Sequence, residues 1–221
     1  MPNRRPNVRT VDTSAAGDPA GRPGHSVPAV LIVPGLRDAV QEHWQTLLAG
    51  GLGERAVMVP PMGREDLTLT RYVAAIESAA RSIPGPFVVV AHSGGAITTV
   101  HWARHTKCAV HGALLAAPPD FDTPMPQGYP TLAALKDGGW LPVPRQALAF
   151  PSIVAASRND PLSRYERSAE LAQAWGSRLV DLGEVGHLNP ASGFGPWPPA
   201  EDFINELSAD VDATKETTWP R

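Results

Sequence analysis

The feature that most constrains the fold is a short segment, residues 87–97, in which an unbroken apolar run ends at a serine between very small residues. The apolar run contains three consecutive valines and predicts a buried strand, and a segment compatible with a helix follows Ser93 directly. A strand, a tight turn and a helix in this order are the context of a nucleophile elbow. The strained turn of such an elbow tolerates only small residues beside the serine. Ala91, Gly94 and Gly95 meet that requirement. Small residues would equally allow a strand and a helix to pack closely, so the rest of the chain decides between these interpretations.

Apolar runs and helical periodicity alternate along the chain, which predicts the α/β class. The expected strands lie at residues 27–33, 56–59, 87–92, 111–117, 152–157 and 178–182, and the expected helices at residues 42–49, 69–80, 96–106, 163–175 and 199–207. The strands are apolar on both faces, as in a parallel sheet that helices cover on both sides. We therefore expect about six mostly parallel strands sandwiched between helices.

Local signals predict how some of these elements begin and end. Thr68 could cap the helix that starts at Leu69, and Gly176 fits a left-handed cap after the helix at residues 163–175. Residues 120–150 are dense in proline and glycine, which predicts a loop over the carboxyl edge of the sheet. No large cap domain is expected there.

The two ends of the chain differ in composition from its centre. Residues 1–26 are mostly Arg, Pro, Gly, Ser and Asp without apolar periodicity, which predicts a flexible leader. Residues 209–221 are polar and predict a frayed tail. The segment between them, residues 27–208, has the length of one domain.

Composition and charge narrow the function classes. The 221 residues are 43% hydrophobic and carry a formal net charge of -3 without a basic run. Neither nucleic acid nor a membrane is therefore an expected partner. The single cysteine, Cys108, excludes an intrachain disulfide, and no apolar stretch is long enough for a signal peptide or a membrane span, so we expect a cytoplasmic protein. Cys108 lies far along the chain from any expected base, which favours a structural or surface thiol.

Two polar residues beyond strand ends could activate the serine. A serine hydroxyl needs a base to take its proton, and the base needs a carboxylate that fixes its tautomer. Asp160 follows the strand expected at residues 152–157, and His187 follows the last expected strand. The carboxyl ends of parallel strands are where ligand sites form. The chain order Ser93, Asp160, His187 is the order found on the α/β-hydrolase fold.

Other polar residues compete for these roles. Asp120 and Asp122 follow an earlier strand and are alternative carboxylates, whereas Glu184 is expected on the solvated surface. His92 adjoins Ser93, but neighbouring side chains on an elbow diverge, so a packing or orienting role is favoured over that of the base. His43, at a helix start, could reach the cleft or bond only to the backbone, and the sequence leaves both open.

An oxyanion hole requires two backbone N–H groups that point at the developing negative charge. The residue after the nucleophile, Gly94, should supply one of them. The loop after the first strand should supply the other, and the N–H of Leu36 fits this position. No metal is expected, because the seven histidines are scattered without paired ligand spacing. No glycine-rich loop followed by lysine is present either, so no cofactor is implied.

Several motifs together resemble a known family. They are Ile32-Val33-Pro34-Gly35, His43-Trp44, His92-Ser93-Gly94-Gly95, Ser157-Arg158-Asn159-Asp160-Pro161, Gly186-His187-Leu188-Asn189 and Ala191-Ser192-Gly193-Phe194-Gly195-Pro196-Trp197-Pro198. This combination is similar to the small serine hydrolases of the retinoblastoma-binding-protein-nine and YdeN type, and the last motif resembles bacterial members especially. The likeness covers residues 30–207. Ala91 departs from the glycine that is commoner at its position.

The resemblance implies a compact α/β-hydrolase without a large cap, with Ser93, Asp160 and His187 as a catalytic triad. It also implies hydrolysis of a small carboxylic ester, an activity of the carboxylesterase type (EC 3.1.1). An amide or peptide hydrolase would use the same triad. A binding or regulatory protein could keep the same scaffold, since a fold alone never fixes function. A protein partner is suggested by analogy with the eukaryotic namesake only.

Overall fold

The computed structural model describes residues 27–36, 40–63 and 65–213. The predicted leader and residues 214–221 of the predicted tail lie outside this part of the chain. Six strands are present there: β1 Ala29–Val33, β2 Ala56–Met58, β3 Phe87–His92, β4 Val110–Ala116, β5 Ser152–Ala156 and β6 Arg178–Asp181. The helices are α1 Trp44–Leu52, α2 Leu69–Arg81, α3 Gly94–Ala103, α4 Leu132–Asp137, α5 Tyr165–Trp175 and α6 Pro199–Ala213, with short 3-10 turns at Gly53–Arg55 and Pro190–Ser192.

The strands form one sheet in the order β2-β1-β3-β4-β5-β6, and every neighbouring pair is parallel. All residues of β3 and β5 are buried, as expected for strands that are covered on both faces. The α/β-hydrolase architecture expected from the sequence is confirmed, and no large cap covers it within the described residues. Ser93 follows β3, at the centre of the sheet.

Alternate residues of each strand divide the core into two clusters. On one face, Leu31, Val89, Leu115 and Val154 pack with residues of α2, α3 and α5. On the opposite face, their strand neighbours pack with α1 and α6. Side chains of a strand point alternately to its two faces, so a continuous apolar run serves both layers. Helices therefore support the sheet on both faces, and the sheet in turn supports the loops at its carboxyl edge.

Several boundaries differ from the expectation. Helix α3 begins at Gly94, two residues early, because the elbow turn leads straight into the helix. Helix α6 continues to Ala213, beyond the expected end at residue 207 and into the predicted tail. Thr68 is at the N-cap of α2, but its side chain makes no capping hydrogen bond; its backbone N–H donates to Asp66 Oδ1 instead (2.9 Å). Gly176 has the expected left-handed conformation (φ 68°).

The segment at residues 120–150 is a loop, as expected, with one short helix, α4. It contributes large core side chains: Trp140 is fully buried and packs edge-on against Tyr72 and Phe121. The proline and glycine content predicted the irregular backbone, but the loop is also part of the core. Among the described helices, none has the length and apolar character needed to cross a membrane.

Candidate active site

Ser93 has the strained backbone of a nucleophile elbow. Its φ of 54° and ψ of -129° lie outside the regions that residues with a side chain normally adopt. Its N–H donates to the carbonyl of Ala116 in the neighbouring strand (2.9 Å). A Cβ on Gly95 would lie 2.3 Å from the carbonyl oxygen of Pro34, so only glycine fits there. Close packing of the loops thus holds Ser93 at the carboxyl edge of the sheet.

The structure brings Ser93, His187 and Asp160 together in one hydrogen-bonded chain. His187 Nε2 is 2.8 Å from Ser93 Oγ, and His187 Nδ1 is 2.8 and 3.0 Å from the two carboxylate oxygens of Asp160. The side chains of His187 and Asp160 are only 4% and 3% exposed. A carboxylate at Nδ1 requires the proton on that nitrogen, which leaves Nε2 free to accept the serine proton.

Polar contacts between the loops after β5 and β6 hold the His187 loop in place. Asn159 Oδ1 accepts from the N–H of Gly186 (2.7 Å), and Ser157 Oγ accepts from the N–H of Val185 (3.2 Å). On the other side, Ser192 Oγ accepts from the N–H of His187 itself (3.0 Å). No role for these side chains was predicted from the sequence. Small polar residues that flank both triad candidates were the signal that could have identified them.

The competing carboxylates do not contact His187. Asp120 Oδ1 accepts from Arg167 Nε at 3.1 Å, and Asp122 pairs with both Arg145 and Arg167. Glu184 is exposed, as expected. Asp160 is thus the carboxylate that the structure places at the imidazole.

Two further histidines lie beside His187. His92 packs between His187 and His43, with ring centroids 5.0 and 4.8 Å apart. Its Nε2–H donates to the backbone carbonyl of His187 (2.9 Å), since a carbonyl oxygen can only accept. Burial, and after it the nearby His187 and His43, lowers the pKa of His92 well below its usual value. His92 therefore packs against His187 as a neutral ring and holds the backbone of His187 by a hydrogen bond.

His43 combines the two roles that the sequence left open. Its Nδ1 accepts from the N–H of Gln45 (3.2 Å) as the N-cap of α1, and its ring lines the cavity next to Ser93. Burial, and after it the nearby His187, lowers the pKa of His43 to about 4. An Nδ1 that accepts a hydrogen bond carries no proton, so the proton of the neutral ring is on Nε2.

The two expected oxyanion donors lie next to each other. Gly94 is the first residue of α3, where the N–H has no partner within the helix. A Cβ on Gly94 would lie 2.5 Å from Leu36 Cγ, so the Leu36 side chain packs directly on this glycine. Both residues line the same cavity as Ser93.

The cavity in front of Ser93 has a volume of about 420 Å³ and is mostly apolar. Its walls come from the loop after β1, the start of α1, the end of β2, the loops after β4 and β5, and the His187 loop; the main apolar contributors are Leu36, Val40, Met58, Pro119, Phe121, Met125, Pro130, Leu162 and Pro190. An apolar pocket with a few convergent polar groups is typical of a small-molecule site.

A buried amide, Gln45, ties together two strands next to the site. Its Nε2 donates to the carbonyl oxygens of Val33 (3.0 Å) and Val90 (3.1 Å), which belong to β1 and β3. Cys108 is half-buried and packs at the edge of the core, away from the triad. Within the described ranges, no group of three or more His, Cys, Asp or Glu residues is arranged to hold a metal ion.

The fold and this arrangement of residues define an α/β hydrolase with a serine at the elbow. The family model described as serine hydrolase matches residues 30–206, and the chain belongs to that family. A YdeN-like hydrolase from Pectobacterium atrosepticum is 29% identical, with 83% of this chain and 91% of that chain covered and a TM-score of 0.70. The ydeN gene product of B. subtilis is 19% identical (81% and 98% covered, TM-score 0.65).

More distant structures share the fold alone. Est1E from Butyrivibrio proteoclasticus, solved with ferulic acid bound, is 14% identical, with 86% of this chain and 90% of that chain covered and a TM-score of 0.62. No curated protein matches the chain. The resemblance to YdeN-type serine hydrolases noted in the sequence is confirmed.

Proposed function

We propose that this hydrolase is a serine esterase that cleaves small carboxylic esters through an acyl-enzyme on Ser93. The observation that carries the proposal is the unbroken hydrogen-bonded chain from Asp160 through His187 to Ser93 Oγ, which opens into an apolar cavity. Membership of the serine hydrolase family supports the same assignment.

In this mechanism Ser93 Oγ attacks the ester carbonyl while His187 Nε2 takes the hydroxyl proton. Asp160 orients His187 and stabilises the imidazolium. The carbonyl oxygen becomes an oxyanion, which the N–H groups of Leu36 and Gly94 stabilise. His187 then donates its proton to the departing alcohol, and the acyl group stays on Ser93. Water, activated by His187, attacks the acyl-enzyme and releases the carboxylic acid.

The polarity of the cavity indicates which substrates it favours. A mostly apolar cavity of about 420 Å³ stabilises uncharged acyl and alcohol groups and disfavours the burial of a charge. In the same site the alcohol of an ester departs more readily than the amine of an amide, because an alkoxide is the better leaving group. We therefore expect esters to be turned over faster than amides of the same acyl group.

The test uses a fluorophosphonate probe together with paired ester and amide substrates. The probe should label Ser93 once, and Ser93→Ala should abolish both labelling and ester turnover. Cys108→Ser is the matched control and should retain both, because Cys108 lies outside the site. Labelling that survives in Ser93→Ala, or amide turnover that exceeds ester turnover, would contradict the proposal.

A further inference from the structure

The two carboxylates that do not reach His187 form a cluster with two arginines; Asp120, Asp122, Arg145 and Arg167 are called the Arg167 clamp below. Arg167 contacts both carboxylates, with its Nε 3.1 Å from Asp120 Oδ1 and its Nη2 on Asp122. Arg145 contacts the same oxygen of Asp122, Oδ2. The Asp120 side chain is only 8% exposed and that of Arg167 19%, so the centre of the clamp is shielded from solvent. A planar guanidinium can hold two carboxylates at once in a fixed geometry.

Two backbone hydrogen bonds connect the clamp to Asp160. The N–H of Asp120 donates to the carbonyl oxygen of Leu162 (2.9 Å). The N–H of Leu162 in turn donates to Asp160 Oδ1 (2.8 Å). Asp160 Oδ1 is one of the two oxygens that face His187 Nδ1. The position of the Leu162 backbone therefore affects how the carboxylate is presented to the imidazole.

The same clamp also fixes part of the cavity wall. Phe121 lies between the two clamped aspartates, is almost fully buried and lines the cavity together with Leu162. Its ring packs edge-on against Trp140, with centroids 5.6 Å apart. An arginine on α5 thus holds the chain segment that supplies both an apolar wall and a support for Asp160.

We propose that Arg167 is a positioning residue for hydrolysis: by clamping Asp120 and Asp122 it fixes the Leu162 backbone, and through it the orientation of Asp160 toward His187. This inference rests on the proposed esterase function. Arg167 touches neither the cavity nor the triad, so it acts through the chain segments that it holds. Its effect should appear in kcat, since a small displacement of a catalytic group is costly to the rate.

The test compares Arg167→Gln with Asp120→Asn, two changes that remove opposite charges from the same contact. If the contact positions Asp160, both variants should lose roughly 10-fold in kcat. Arg167→Lys should recover part of this loss, because an ammonium keeps the charge but cannot hold two carboxylates as a fork. Arg178→Gln is the matched control. Arg178 is the first residue of β6, at the amino-terminal end of the strand, where it pairs with Glu206, and its loss should leave kcat unchanged.

The pH profile separates positioning from charge. The titratable groups that face His187 are Asp160 and His92, with His43 beyond His92. If only charge mattered, the pH at which the rate falls in acid would rise in Arg167→Gln, which loses a positive charge. It would decrease in Asp120→Asn, which loses a negative charge. A misoriented Asp160 stabilises the imidazolium less. If Arg167 acts by positioning Asp160, the pH at which the rate falls in acid should therefore decrease in both variants.

Each outcome has one meaning. Opposite shifts, or folded variants with the kcat of Arg178→Gln, would overturn the role of Arg167. Circular dichroism and thermal unfolding establish whether the variants are folded. If Arg167→Gln is not folded, Arg167→Lys serves as the test. A wild-type protein without ester turnover or Ser93 labelling would instead contradict the proposed function. A labelled, active wild type with unaffected variants would contradict this inference alone.

Discussion

Gly35 lies so close to Ser93 that a Cβ on it would be 3.1 Å from the Ser93 Cβ and 3.5 Å from its Oγ. The loop after β1, which also carries Leu36, is therefore packed directly against Ser93. The 3.1 Å approach is tighter than most Cβ contacts in proteins, so an added methyl group would require Gly35 or Ser93 to shift by a few tenths of an ångström. We expect a shift of this size to disturb the serine.

The first prediction follows from this contact. Gly35→Ala should lower kcat for esters by roughly 10- to 100-fold, because the added methyl displaces Ser93 or the loop that should supply an oxyanion donor. Steady-state kinetics and urea unfolding of the same preparation measure the two effects. Gly50→Ala is the control, since a Cβ there meets nothing within 4 Å. That change should keep full activity and stabilise the protein by about 0.5–1 kcal/mol. Wild-type turnover by Gly35→Ala would show that the contact is irrelevant to catalysis.

The second prediction concerns the carboxylate of the proposed triad. Asp160→Asn should lower kcat by roughly 10³–10⁴-fold with the fold intact, because an amide at Nδ1 favours the wrong imidazole tautomer. Asp122→Asn and Asp120→Asn should cost far less, since both carboxylates pair with arginine and not with His187. Kinetic comparison of the three variants on one ester decides the ranking. The reverse order would move the acid to the loop after β4.

The fold and the three proposed catalytic residues could be predicted because each depends on local sequence. Ser93, Asp160 and His187 each follow an apolar strand, and parallel strands bring such residues to one edge whatever the details of packing. The contacts that support them could not be predicted in this way. Asn159 and Gly186 are 27 positions apart, and their hydrogen bond exists only once β5 and β6 are paired.

The loop at residues 120–150 shows another limit. Its proline and glycine content predicted irregular backbone correctly, but composition does not reveal which loop side chains are buried. Trp140 is fully buried, and its indole N–H donates to the carbonyl oxygen of Leu67 (2.6 Å), which lies 73 positions earlier. Likewise, Asp120 could be named as a candidate acid, but its partner Arg167 is 47 positions away and was not foreseen.

The third prediction concerns the pH dependence of the rate. Only a neutral imidazole at position 187 can accept the serine proton, so kcat/KM should rise with pH through one ionisation. His43 and His92 should not contribute at neutral pH, because the pKa of His43 is about 4 and that of His92 is well below its usual value. Rates measured from about pH 5 to 9 with and without a chelator test this assignment. A flat profile, or activity lost to the chelator, would leave His187 without its proposed role.

The fourth prediction links His43 to stability in acid. The folded protein protonates His43 only near pH 4, whereas an unfolded chain does so near its usual pKa of 6.5. Between these values the unfolded state binds more protons, so the free energy of unfolding decreases as the pH falls from about 6.5 to about 4. Protonation of Nδ1 would also remove the N-cap bond to Gln45.

His43→Asn tests this link, because asparagine is a good N-cap that does not titrate. The variant should lose less stability than the wild type between neutral pH and about pH 4.5, by roughly 1–2 kcal/mol after allowance for solvent screening of the partly exposed ring. Urea unfolding at both pH values measures the difference. Equal losses would mean that His43 is not a source of acid sensitivity, and buried His92 would then be the next residue to test.

The order of strands in the sheet has a consequence for how the protein is made. From β3 outward, the strands β4, β5 and β6 lie in the order in which the ribosome produces them. Ser93 leaves the exit tunnel in a nascent chain that has neither Asp160 nor His187, so under the proposed mechanism no group there can take its proton. Chemical reactivity is expected to arise only when β6 and the loop after it have emerged and docked, so a truncated translation product would be inert.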